Sequence, residues 1–201
     1  DKRLTNKSGL RAGFNLATNK GMHYQTINSL LGATQMHNVN TYAIAHYPAA
    51  SDKVQYDLNN RDAVLGKGDR LGYDYNILMN KAKVWGAYIE DFGPLHYSLS
   101  ARMGYQSMQR DGKMCNGMAA DNSFGKSRTK DFFDGGLKFA SSLDMGCGHT
   151  LTFGMGYEQR APQAAAVFAS PEVNNDIAVN LKNEKVFSTE VGYMYNGSWL
   201  H

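Results

Sequence analysis

The 201-residue chain contains no run of 18 apolar residues, which excludes a membrane-spanning helix. That absence leaves membrane strands open, because only one face of such a strand meets lipid and mean hydropathy stays low. Charge of one sign is also lacking. The net charge is +3 and no Lys/Arg block stands out, which argues against a nucleic-acid partner. There is no G-x-S-x-G elbow, so no nucleophile–base arrangement is visible and no enzyme is expected. Gly66-Lys67-Gly68-Asp69-Arg70-Leu71-Gly72 lacks the GKS/T ending of a phosphate loop and reads as a loop entering a strand. His23, His37, His46, His96, His149 and His201 never fall at i, i+3 or i, i+4 spacing, so neither a metal site nor a cofactor is expected.

Glycine (21) and tyrosine (12) are plentiful and proline (4) is scarce, a composition that suits a β-rich chain with many turns. Period-two alternation marks the strands. Leu10, Ala12, Phe14 and Leu16 define the first, expected to stop at a Thr18–Gly21 turn. From Gly21 to Lys67 the pattern breaks up into a large structured loop, with a short helix expected within Thr26–Gln35 and helical pieces in VNTYAIAHYPAA (39–50) and DKVQYDLNNRDAVLG (52–66). Arg70–Phe92 is strand again, but its apolar parity changes near Asn80. Either a bulge shifts the register there or both faces are covered. The span could be one long strand that projects beyond a bilayer.

After the short turn Asp91–Pro94, Leu95, Tyr97, Leu99, Ala101, Met103 and Tyr105 alternate with His96, Ser98, Ser100, Arg102, Gly104 and Gln106. Further strands are expected at 131–141, 150–160 and 184–196. The connections run long, short, long, short, long. The last long one, Ala161–Asn183, is polar and rich in Asn. Long loops at one end and short turns at the other are the mark of an up-and-down membrane β-barrel. The expected fold is therefore all-β: an antiparallel transmembrane β-barrel segment with long extracellular loops and short periplasmic turns. Residues 1–201 would be a partial barrel domain, since about 8 strands are needed for closure. A piece of a longer protein is also expected from the ends, which lack an initiator Met and a signal pattern and stop just after Trp199 and Leu200. Cys115 and Cys147 could pair in a secreted domain, but this topology places them at opposite ends, unpaired.

GDRLGYDYNI (68–77), NGMAADNSFGKS (116–127), DFFDGGLKFA (131–140), GHTLTFGMGYEQRAPQ (148–163) and FASPEVNND followed by NEKVFSTEVGYMY resemble the C-terminal barrel of TonB-dependent outer-membrane receptors. The likeness is to the type with elaborated outer loops. The resemblance implies residence in the outer membrane of a Gram-negative bacterium. It also implies import gated by an N-terminal plug, which this chain lacks, in contact with an inner-membrane TonB complex. A surface lipoprotein partner is compatible with it.

Glu172, Asn174, Asn175 and Asp176 cluster oxygen atoms that could take a cation or a polar ligand, or simply form a solvated turn. With Arg160 they are the extracellular-loop candidates for binding a nutrient. His96, Arg102, Gln106, Glu158 and Glu190 fall on the polar parity and are expected to line the lumen. Tyr73, Tyr75, Trp85, Tyr97, Tyr105, Tyr157, Tyr193, Tyr195 and Trp199 are candidates for aromatic girdles. The alternatives are a soluble β-sandwich that binds carbohydrate, with the apolar parity buried between two sheets, and a passive porin-like channel.

Overall fold

The computed structural model describes residues 2–4 and 7–197; Trp199 and His201 lie outside the described residues. Six long strands form one antiparallel sheet: β1 (Ser8–Thr26), β2 (Arg70–Phe92), β3 (Leu95–Gly112), β4 (Lys130–Gly146), β5 (His149–Arg160) and β6 (Glu184–Tyr195). They are hydrogen-bonded in sequence order, an up-and-down meander. Among the described residues β1 and β6 are not paired with each other, so the sheet is open. Residues 27–69, 113–129 and 161–183 connect strands at one end, and tight turns at Gly93–Pro94 and Cys147–Gly148 connect them at the other. Cys115 and Cys147 are free and lie at opposite ends.

Two local expectations fail. Thr18–Gly21 is no turn: those residues stay in β1, paired with Asn80, Met79, Leu78 and Ile77. A continuous ladder outweighs the turn preference of Asn and Gly. Thr26–Gln35 forms no helix, because Leu31 and Gly32 both take positive φ (52° and 97°), a left-handed step that an α-helix does not accommodate. The α-helix of this connection is α1 (Thr41–His46), which starts where the Asn40 side chain accepts hydrogen bonds from the Tyr42 and Ala43 amides.

The ladder assigns the faces. Between two polar rungs, β1 to β4 present sixteen residues on one side: Leu10, Ala12, Phe14 and Leu16; Ala82, Val84, Gly86 and Tyr88; Leu99, Ala101, Met103 and Tyr105; Phe133, Gly135, Leu137 and Phe139. None is charged, and tyrosine is the sole polar type among them. Phe14 (76%), Leu16 (71%), Met103 (72%) and Phe133 (76%) are open to the surroundings. One rung is Thr18–Asn80–Ser107–Asp131, the other Ser8–Glu90–Tyr97–Ser141. Thr18 Oγ1 donates to Asn80 Oδ1 (3.1 Å) and Tyr105 to Asp131 (2.7 Å). At the other rung Tyr88 donates to Glu90 (2.8 Å), as does Tyr97. The opposite face of the same window carries Arg11, Lys81, Lys83, Arg102, Asp134 and Lys138.

No register shift interrupts β2 against β1 or β3 near Asn80; the shift lies at Tyr24/Gln25. The parity change has the other cause, a covered second face. Tyr75 and Ile77 point to the polar side, where the 161–183 connection folds over them. Its short helix α2 (Ala164–Val167) and Phe168 close a core with Met108 and Phe132. Tyr73 and Tyr75 therefore belong to this core and its margin, and Trp85 lies over Gly13 on the charged side. These three are not girdle residues. Phe168 is 1% exposed, so Phe168→Ala is expected to cost about 3 kcal/mol. A smaller shift in the denaturation midpoint would mean that the connection does not pack as described.

Candidate functional site

The three long connections lock together at one end of the sheet. Leu58 N–H donates to Cys115 O (2.7 Å), Gly117 N–H to Gln55 O (2.9 Å), and Asn175 N–H to Asn122 O (2.7 Å). The first two meet so closely that a Cβ at Gly117 would lie 1.7 Å from Asp52 O; no other residue fits there.

Arg110 holds the second and third connections to the wall. Its guanidinium is buried, with Nε donating to Pro171 O (2.6 Å) and Nη1 to Ser123 O (2.7 Å) and Asn175 Oδ1 (2.5 Å). It also lies over the Tyr75 ring, 5.1 Å from the centroid. Arg110 sits beyond the Ser107 rung, outside the apolar band. Burial pushes its guanidinium below the usual arginine range, and burial first, then the Glu172 charge, pushes the Tyr75 hydroxyl up. Tyr75 thus stays a neutral ring, and the cation is satisfied by neutral oxygens in place of a carboxylate.

This arrangement draws the Asn-rich cluster apart. Asn175 is spent on Arg110, Asp176 Oδ1 accepts from Asn122 Nδ2 (2.6 Å), and Asn174 Oδ1 accepts from the Asp176 amide (3.0 Å). Glu172 is exposed. The four do not converge on one point. Arg160 pairs with Glu184 at 2.6 Å at the foot of the connection, both about half exposed. Among the described residues no cluster of three or more His, Cys, Asp or Glu side chains could hold a metal ion.

What the connections do build is a polar hollow of about 660 Å³ between the second and the third. Asn175 and Asp176 line it, joined by Asp121, Lys126, Arg128 and Phe124. Phe124 is exposed. Charges of both signs and an aromatic face in one concavity can hold a polar ligand by hydrogen bonds and ring contact. The hollow is the candidate binding site. Its second half was missed in the sequence, where Asp121–Arg128 read only as a polar connection.

On the charged face, His96, Arg102, Gln106, Glu158 and Glu190 share one side of the sheet. Arg102 Nη1 donates to Asp134 Oδ1 (2.7 Å) and Nη2 to Glu158. Glycine makes room for this triad: a Cβ at Gly104 would lie 2.4 Å from Asp134 Oδ1. Gln106 is buried nearby. His96 contacts Asp91 (2.7 Å) and, with Glu190, lines a separate open depression toward the tight turns.

No protein-family model, curated protein or solved structure matches the chain.

Arg110→Met should leave three oxygens of two connections without donors, at about 1–3 kcal/mol each if they stay buried. Limited proteolysis within 113–129 and 161–183 should accelerate, and Arg110→Lys should not restore resistance, since an ammonium lacks the planar fork. Wild-type cleavage rates in both variants would remove Arg110 from this role.

Proposed function

We propose that the chain is an arc of the wall of a TonB-dependent outer-membrane transporter that binds a nutrient at its outer connections and imports it by plug gating. The sixteen-residue apolar band carries this reading. Ten residue steps separate Tyr97 from Ser107, about 33 Å along a strand. At a tilt of about 40° that spans about 25 Å, the height of an apolar barrel band. Both limits carry hydrogen-bonded Tyr–carboxylate pairs at Glu90 and Asp131, where amphipathic rings favour the headgroup level.

In this reading the charged face lines a watery interior, the 660 Å³ hollow faces the exterior, and the tight turns face the periplasm. The plug and the inner-membrane TonB complex would supply energy, and a surface lipoprotein is compatible with the exposed loop end. No covalent chemistry is involved. The sandwich alternative needs a second sheet over the apolar band, and Phe14, Leu16, Met103 and Phe133 lie open among the described residues.

Met103→Lys should destabilise the folded protein in lipid by about 2–4 kcal/mol, whereas Ser100→Lys on the other face should be nearly silent. Folding titrations in liposomes compare the two. Equal effects, or a monodisperse 22.2 kDa species in plain buffer, would replace this reading with the sandwich.

A further inference from the structure

On the charged side of the sheet, beside the loop core, lies a second hollow of about 240 Å³. It sits between β1–β2 and the 161–183 connection. Three small residues leave it empty: Gly21, which pairs with Ile77, and Ala164 and Ala165 of α2. Larger side chains at any of them would fill it, as interiors are normally filled. The lining is mostly apolar, with Phe168 and Ile77 contributing. Along one side the His23 and Tyr75 rings stack, 4.9 Å apart and within 7° of parallel. Asn19 adds an amide at the edge. A flat wall, an apolar floor and polar groups of Asn19 and His23 at the edge describe a seat for an aromatic ring. An apolar cavity of about 150 Å³ suffices for benzene, so 240 Å³ admits a fused two-ring system.

We propose that this hollow binds the aromatic ring of a small, uncharged solute, with Asn19 or His23 hydrogen-bonding the ring's polar edge. The inference does not depend on the membrane reading, because the hollow lies on the side away from the apolar band.

Indole is the probe, titrated into the full chain by calorimetry and saturation-transfer NMR. Saturable one-to-one binding is expected. Gly21→Leu should weaken it at least about tenfold, a change of about 1.4 kcal/mol. An added Cβ there lies 3.2 Å from the end of the His23 ring and 4.0 Å from the Asn19 side-chain oxygen, and touches no backbone, so a small shift of the ring accommodates it. Ala165→Leu, at an exposed position, fills the hollow from the other wall and should act alike. Leu16→Ala, on the apolar band, should leave indole affinity unchanged. Uptake that never saturates, binding that survives both filling substitutions, or no binding at all would overturn the proposal.

Discussion

The antiparallel ladder from Ser8 to Tyr195 is the constraint on which everything else rests. Side chains alternate between faces with a period of two, so a single slipped residue would exchange the faces of a whole strand. Along β2 to β3 to β4 the pairing runs without a shift. One hydrogen-bonded register therefore sets which residues share the apolar band and which share the charged face. The band is continuous across strands because Phe14, Val84, Met103 and Gly135 fall in one row, as do Leu16, Ala82, Tyr105 and Phe133.

The two faces solve different problems. The apolar band leaves Phe14, Leu16, Met103 and Phe133 uncovered among the described residues, a contiguous apolar patch of the kind that marks an interaction surface. The charged face manages its own charges. Arg102 is neutralised by Asp134 and Glu158, with glycines at 104 and 136 leaving space beside them. Near the long connections that face turns apolar, because the 161–183 segment folds onto it and buries Tyr75, Ile77, Met108 and Phe132. Arg110 carries the coupling between this buried patch and the loop end. The same guanidinium that lies over Tyr75 holds Pro171, Ser123 and Asn175.

Much of the fold was legible because strand alternation is a local signal. The Leu95–Tyr105 pattern, the order of long and short connections and the separation of the two cysteines all follow from neighbours in sequence. The failures share a cause as well. Asn19 and Gly21 have turn preferences, but in β1 they pair with residues about sixty positions away. The candidate site was half legible. Asn175 and Asp176 stood out as an Asn-rich run, yet the partners that complete the hollow come from the connection before it. Arg110 carried no signal of its own. Its indirect trace was the inverted parity of Tyr73, Tyr75, Ile77 and Met79, which marks a face that something else must cover.

Secondary structure class, strand order and the two chemically distinct faces followed from local pattern, because alternation and turn length are properties of adjacent residues. The tertiary structure set where the 161–183 connection lies, which partners Asn122, Asn174 and Asn175 take, and where the hollows open. Those outcomes depend on distances between segments far apart in the chain, and a buried guanidinium takes whichever oxygens the fold brings within reach.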